Sequence, residues 1–162
     1  MTKTLVAYFS ASGETARLAR TLAEAAQADL FAIEPAQPYT AADLNWNNAA
    51  SRSSVEMNNS AARPAIARRV ENMAQYDTVL VGFPIWWYQA PRIIETFLEA
   101  YDFSGKTVVP FATSGGSGLG KTEAILQAAC CAQTRWKPGM VFSSRAKAQT
   151  LGDWLHRLAV NG

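Results

Sequence analysis

The residues best suited to chemistry form a short hydroxyl-rich loop, Ser10-Ala11-Ser12-Gly13-Glu14-Thr15. An apolar run precedes this loop, and a helical pattern begins near Glu14. The first N–H groups of a helix have no partner within it, and the helix dipole favours negative charge there. Gly13 lets the backbone approach a ligand closely, and no Lys or Arg lies between Lys3 and Arg17. The loop therefore predicts a phosphate site built from neutral dipoles. An ordinary strand-to-helix loop with a serine N-cap is the alternative.

Two later loops also follow apolar strands and differ in composition from ordinary connections. Pro84-Ile85-Trp86-Trp87-Tyr88 offers three consecutive aromatic rings after the apolar run 77–83. Thr113-Ser114-Gly115-Gly116-Ser117-Gly118 follows the run 106–113 and offers glycine and hydroxyl groups that can approach a flat ligand edge. Ligands of open parallel sheets bind beyond the carboxyl ends of the strands. Together the three loops predict a pocket for a planar heteroaromatic phosphate.

The elements that must position these loops alternate along the chain. Apolar runs predict five strands, at 4–9, 29–34, 77–83, 106–113 and about 139–143. Helical spacing and proline starts predict helices at 14–27, 63–76, 91–101, 121–132 and 147–160. This alternation is typical of an α/β fold, a single-domain doubly wound parallel sheet with right-handed crossovers and helices on both faces.

Residues 35–62 interrupt this alternation. They contain Pro35, Pro38, many Asn and Ser residues, and an isolated Trp46. We expect a long irregular insertion with a helical turn near 41–46. Long irregular loops in compact domains are usually functional or mobile. Two interpretations stay open: a surface insertion with Trp46 packed on the core, or a mobile lid that becomes ordered over the ligand.

Composition limits the class of protein. The chain has 162 residues, 49% of them hydrophobic and 17% charged, which fits one globular domain. Its net charge of +2 is too small for a typical nucleic-acid-binding surface. No secretory signal precedes the first strand, and the longest apolar run is too short to cross a bilayer. The adjacent Cys130 and Cys131 lack C-x-x-C spacing and fit reduced thiols. We therefore expect a cytoplasmic protein that does not insert into membranes.

One competing motif points to a different ligand. Residues 115–122 satisfy G-x-x-x-x-G-K-[ST], the P-loop pattern of nucleotide-binding proteins, between a predicted strand and a helix. It occurs after the fourth strand, however, and no later apolar strand ends in an Asp that could hold Mg²⁺. The single histidine, His156, lies in the last predicted helix, and no nucleophile–His–carboxylate set or metal-ligand cluster is found.

The three loops, in this order and at these strand ends, resemble those of the flavodoxin family. The resemblance runs over nearly the whole chain and rests on S-x-S-G-x-T at 10–15, P-I-W-W-Y at 84–88 and T-S-G-G-S-G at 113–118. It implies the strand order 2-1-3-4-5 and non-covalently bound FMN. It also implies that Ser10, Ser12, Gly13, Glu14 and Thr15 hold the phosphate. Trp86 or Trp87 would stack on or edge the isoalloxazine, and the 113–118 loop would meet the other side of the ring.

The sequence departs from this family in three ways. Flavodoxins usually have Asn where this chain has Glu14, and related proteins often have Gly where it has Tyr88. Flavodoxins that act as soluble carriers are typically very acidic, whereas this chain is not.

Three functions remain open. The protein could carry electrons between redox partner proteins through FMN, with no side chain acting as acid or base. It could instead be an NAD(P)H-dependent reductase of quinones or similar acceptors on the same fold, which the weak net charge favours. A cofactor-free module that binds another protein is the third possibility.

Overall fold

A parallel sheet forms the centre of the molecule, and its strand order confirms the expected topology. The computed structural model describes residues 3–114 and 118–158. In sheet order the strands are β2-β1-β3-β4-β5, and β6 also pairs with β4. The strands are β1 Thr4–Tyr8, β2 Asp29–Ala32, β3 Thr78–Pro84, β4 Thr107–Thr113, β5 Arg135–Trp136 and β6 Met140–Phe142. The α-helices are α1 Glu14–Ala26, α2 Arg52–Met57, α3 Arg92–Glu99, α4 Thr122–Ala128 and α5 Ala148–Arg157.

The central strands β1, β3 and β4 are mostly apolar because both faces of the sheet are covered there. Successive residues of a strand point to opposite faces. In β1, Leu5 and Ala7 pack in one core with the apolar face of α3, whereas Val6 packs in a second core with α1 and α5. Strand β3 divides in the same way, with Val79 in the first core and Leu80 in the second. This two-sided burial explains why no polar alternation appears in the strand sequences.

The parallel register places the predicted site loops at one edge of the sheet. Tyr8 at the end of β1 lies opposite Gly82 of β3, and Pro84 at the end of β3 lies opposite Thr113 of β4. The loops that leave β1, β3 and β4 therefore begin side by side.

The helix predicted at 63–76 is wrong. These residues are extended or turned, with a short 3-10 helix at Met73–Gln75. Backbone pairing with the chain after β2 replaces the helical bonds: the Ala36 amide donates to the Ala65 carbonyl at 2.8 Å, and the Ala67 amide donates to the Glu34 carbonyl at 2.7 Å. This pairing depends on residues about thirty positions away, so local helical spacing could not reveal it.

The insertion at 35–62 is more regular than expected. Helix α2 lies within it and is N-capped by Ser51, whose hydroxyl accepts a hydrogen bond from the Ser54 amide. A turn does form near 41–46, where the Leu44 amide donates to the Thr40 carbonyl at 3.1 Å. The side chain of Trp46 is 70% exposed, so the interpretation that it packs on the core is wrong.

The fifth position of the sheet is occupied by two short strands. Both β5 and β6 pair in parallel with β4, and Pro138, which has no N–H to donate, lies in the gap between them. The strand expected near 139–143 corresponds to β6. Helix α4 ends before the two cysteines, which are free thiols. Burial, reinforced by the neighbouring Cys131, raises the pKa of Cys130 to about 11. Within the described ranges, no helix has the length and apolar character needed to cross a membrane.

Candidate functional site

The loop at residues 10–15, called here the phosphate loop, has the backbone conformation of an anion site. Gly13 is the N-cap of α1, and its φ is 92°, a backbone conformation that residues with a Cβ rarely adopt. The first bond that closes the helix runs from the Arg17 amide to the Gly13 carbonyl at 3.1 Å. The amides of residues 14–16 therefore have no acceptor within the helix and are oriented along its axis. No side chain caps α1, so the serine N-cap considered above is not found.

The side chains of this loop divide into exposed and structural groups. Ser12, Gly13 and Glu14 are exposed. The hydroxyl of Ser10 accepts a hydrogen bond from the Gly13 amide at 3.0 Å, which holds the loop closed. Ser10 keeps its own hydroxyl hydrogen for another acceptor. The loop can thus present backbone amides and hydroxyl groups to an anion without a cationic side chain of its own.

A buried hydrogen bond joins the phosphate loop to the end of β4. The hydroxyls of Thr15 and Thr113 are 2.7 Å apart, and the two residues are 1% and 4% exposed. Each hydroxyl can donate one hydrogen, and their mutual bond uses one of the two. The bond fixes the distance between two of the three predicted loops although the residues are 98 positions apart.

The loop after β3 contains a tight turn at residues 86–89, called here the aromatic turn. Its ends exchange two hydrogen bonds, from the Trp86 amide to the Gln89 carbonyl at 2.8 Å and from the Gln89 amide to the Trp86 carbonyl at 3.0 Å. The central residues Trp87 and Tyr88 have φ of 48° and 64°. Two positive φ values are typical of a type I′ turn, which normally contains Asn or Gly. Two aromatic residues in this conformation are strained, and such strain is common at functional sites.

The three aromatic rings of the loop have different surroundings. Trp86 is half-buried and meets the rings of Phe9 and Tyr39 edge to face, with centroid distances of 5.7 and 5.5 Å. Trp87 and Tyr88 are 42% and 69% exposed. Trp87 therefore has ring surface available to a ligand, whereas Trp86 is mainly part of the packing beneath the turn.

Residues after β4 support the aromatic turn from the other side. The Thr122 hydroxyl, fully buried, donates to the Tyr88 carbonyl at 3.3 Å. A Cβ on Gly120 would lie 3.0 Å from the same carbonyl, and Gly120 also has a positive φ of 57°. The Ile85 amide donates to the Thr113 carbonyl at 2.9 Å, which joins this loop to β4.

The same contacts argue against the P-loop interpretation. In that motif the final Ser or Thr hydroxyl binds Mg²⁺. Here the Thr122 hydroxyl is buried under the aromatic turn and engaged with a backbone carbonyl. The motif residues Gly115, Gly116 and Ser117, which were also predicted to meet the ligand, lie outside the described residues. Of the other residues in the predicted loop 113–118, Thr113 is buried, Ser114 is half-buried and Gly118 is exposed.

A small cavity lies on the β2 side of the phosphate loop. Its volume is about 240 Å³, and its walls include Ser10, Gly13 and Glu34. It does not reach the aromatic turn, so it opens only the outer side of the phosphate loop. Over residues 3–114 and 118–158, no cluster of three metal-ligating side chains occurs.

Sequence reasoning missed Tyr39 as part of this site. Its ring packs against Phe9 and Trp86, and its hydroxyl donates to the Glu56 carboxylate. Burial raises the pKa of Tyr39, and the bond to Glu56 adds to that effect. The guanidinium of Arg52 lies over the ring at 3.8 Å. Arg52 and Glu56 are four positions apart, a helical spacing that would have indicated α2, but nothing local indicated the contact with Trp86.

Solved structures similar to this chain cover almost its whole length. A candidate flavoprotein from Bacteroides eggerthii is 52% identical with a TM-score of 0.94, covering 99% of this chain and 100% of that one. A second, from Bacteroides uniformis, is 50% identical with a TM-score of 0.90, covering 96% and 98%. A flavoprotein from Lactobacillus acidophilus solved in complex with FMN shares the fold at 22% identity and a TM-score of 0.68, covering 87% and 93%. A comparison with curated proteins found no match.

The family comparison covers the whole of the described chain. The flavodoxin family model matches residues 3–158, which include every strand and helix of the described chain. The chain belongs to the flavodoxin family.

Proposed function

We propose that this protein binds FMN non-covalently and transfers electrons through it. The observation that carries the proposal is that the loops after β1, β3 and β4 begin side by side at one edge of the sheet. There Thr113 is bonded both to Thr15 of the phosphate loop and to Ile85, just before the aromatic turn. Family membership supports the same cofactor, because flavodoxins are FMN proteins. The similar fold of the Lactobacillus acidophilus flavoprotein, which was solved with FMN, adds to this support.

The residues present fit the phosphate end of FMN. The amides of residues 14–16 and the hydroxyls of Ser10 and Ser12 would hold the phosphate, helped by the positive end of the α1 dipole. The positive φ of Gly13 is what turns the chain into this conformation. Glu14 is exposed at the start of α1, so its carboxylate can point into solvent and away from the phosphate.

The ring end would meet the aromatic turn and the loop after β4. Trp87 would stack on the isoalloxazine, since its ring surface is open while Trp86 is packed on Phe9 and Tyr39. Thr113, Ser114 and the residues that follow would approach the opposite side. Bound FMN supplies the electron-transfer chemistry, while the protein orients the ring and shields part of it from water.

The first experiment is the visible absorbance spectrum of the purified protein, with mass identification of the compound that heat releases. We expect a yellow protein that releases FMN. A colourless protein that also fails to take up added FMN would contradict the proposal and favour the cofactor-free module.

A second candidate function is an NAD(P)H-dependent reductase of quinones or related flat acceptors. Its specific support is the net charge of +2, because a carrier that docks on basic partners is expected to be acidic. The discriminating assay is NAD(P)H oxidation with a quinone by the FMN-loaded protein alone. Steady turnover supports the reductase, whereas complete dependence on a separate reductase protein supports the carrier. We propose a cytoplasmic location for either, which agrees with two free thiols.

A further inference from the structure

Arg92, at the start of α3, is an arginine buried directly behind the aromatic turn. It is 5% exposed, and burying a guanidinium is costly unless its donors are satisfied. Its N–H groups donate to two backbone carbonyls, one side-chain amide oxygen and one carboxylate. These partners belong to separate parts of the chain, so the role of Arg92 extends beyond the stability of α3.

Two of these partners close the end of α2. The guanidinium donates to the Met57 carbonyl at 2.9 Å and to the Glu56 carbonyl at 3.3 Å. The last carbonyls of a helix have no partner within it and carry the negative end of the dipole. Arg92 donates hydrogen bonds to these carbonyls and places a positive charge at the negative end of the helix. It thereby connects the insertion to α3.

The third partner belongs to the aromatic turn itself. Nη1 of Arg92 donates to the side-chain oxygen of Gln89 at 3.2 Å. The backbone of Gln89 makes both hydrogen bonds that close the turn around Trp87 and Tyr88. The fourth partner, Glu95, accepts from Nη1 at 3.1 Å and balances the buried charge. One side chain therefore connects α2 to the residue that closes a strained turn.

The insertion contacts the other end of the turn as well. Tyr39 packs against Trp86, and its hydroxyl bonds to Glu56 in α2. The segment 39–57 is therefore connected to both residues that close the turn. Tyr39 contacts Trp86 directly, and Arg92 bridges Met57 and Gln89. Such double attachment is expected of a fixed wall and not of a lid that opens.

We propose that Arg92 is a positioning residue that couples the segment 39–57 to the aromatic turn and so holds Trp87 in place. The consequence for a bound flavin rests on the proposed function. Arg92 does not touch the ring in this scheme: it acts through Gln89. Loss of the hydrogen bond between Arg92 and Gln89 allows the strained turn to change conformation, so that Trp87 is less well placed to stack on the flavin.

The test compares Arg92→Lys with Arg63→Lys in the full chain loaded with FMN. Arg63 is the matched control, because it pairs with the same Glu95 at 3.2 Å, and its hydrogen bonds go to Glu99 and to the carbonyls of Ser60 and Ala62. Lys keeps the charge but cannot reproduce the fork of donors. Amide hydrogen exchange at Trp86 and Gln89 reports the closure of the turn, and exchange at Val81 in β3 reports global opening.

We expect Arg92→Lys to speed exchange at Trp86 and Gln89 about tenfold relative to Val81, as for the loss of one buried hydrogen bond. FMN affinity should fall several-fold and the flavin redox potential should shift, while Arg63→Lys leaves all three readouts unchanged. Equal exchange in the two variants would overturn the coupling. Faster exchange with unchanged affinity and potential would overturn the positioning role. If the unmodified chain takes up no FMN, the proposed function fails, and exchange alone decides the coupling.

A second variant decides the matter if Arg92→Lys fails to fold. Gln89→Ala removes only the acceptor on the turn, and Gln89 is half-buried. It should speed exchange at Trp86 without changing exchange at Val81. Unchanged exchange at Trp86 would overturn the proposal.

Discussion

The phosphate loop and the aromatic turn lie at the same edge of the sheet but are built in opposite ways. The phosphate loop has its positive φ at Gly13, where a Cβ would meet nothing within 4 Å, and its internal bond joins residues three apart. The aromatic turn has its positive φ values at Trp87 and Tyr88 and depends on contacts with Thr122 and Arg92, which lie outside it. The phosphate loop needs no distant residue to close at Gly13, and within the described residues only Thr15 at its end is bonded to another element, whereas the strained residues of the aromatic turn are held on two sides by distant residues.

This difference determines how each region should respond to substitution. In the phosphate loop, a change in charge should alter ligand binding directly, with little effect on the rest of the fold. In the aromatic turn, the effect should depend on whether the changed ring faces solvent or the packing beneath. The following substitutions separate these two kinds of response.

The largest effect is expected from Ser12→Asp. Ser12 is exposed at the N-terminus of α1, so the new carboxylate would repel a phosphate dianion at close range. We expect FMN affinity to fall by about 100-fold, measured by fluorescence titration. Ser104→Asp is the control, since Ser104 is an exposed serine just before β4, at the opposite edge of the sheet, and its change should leave affinity intact. Equal FMN affinities in the two variants would contradict the assignment of the phosphate site to this loop.

The two tryptophans should give different responses. Trp86→Ala removes a half-buried ring that packs on Phe9 and Tyr39, so the free energy of unfolding should fall by about 2 kcal/mol. Trp87→Ala removes a ring that is 42% exposed, so stability should change little. FMN binding should weaken by about 1 kcal/mol in that variant through lost stacking. Denaturant unfolding and FMN titration of both variants test this, and the reverse pattern would make Trp86 the stacking residue.

The contrast between the two regions also explains what the sequence could predict. The central strands and the phosphate loop depend on apolar runs and on a glycine beside hydroxyl residues, which are local signals, whereas the strand order is expected only from the resemblance to the flavodoxin family. The roles of Tyr39 and Arg92 depend on contacts between residues up to 47 and 36 positions apart. The failed helix at 63–76 has the same origin, because Ile66 is paired with Pro35. Local periodicity contains no information about a partner so far along the chain.

The smallest effects, and the sharpest test of the comparison, come from exchanging glycine and a larger residue between the regions. Gly13→Ala places a Cβ at φ of 92°, where space is available but the backbone is strained, so unfolding free energy should fall by about 1 kcal/mol. Tyr88→Gly relieves the strain at φ of 64° in a residue that is 69% exposed. The larger entropy of glycine in the unfolded chain offsets this gain, so stability should stay constant or rise by less than about 1 kcal/mol.

Urea unfolding at one temperature should therefore show lower stability for Gly13→Ala and no loss of stability for Tyr88→Gly. A marked loss of stability in Tyr88→Gly would mean that the tyrosine ring contributes packing that its exposure does not reveal. In that case the aromatic turn would be stabilised by its own side chains, as the phosphate loop is by the bond between Ser10 and Gly13, and the contrast between the regions would disappear. Constant or higher stability would show that the turn keeps a strained aromatic residue for a reason other than folding, which is the expectation for a ligand surface.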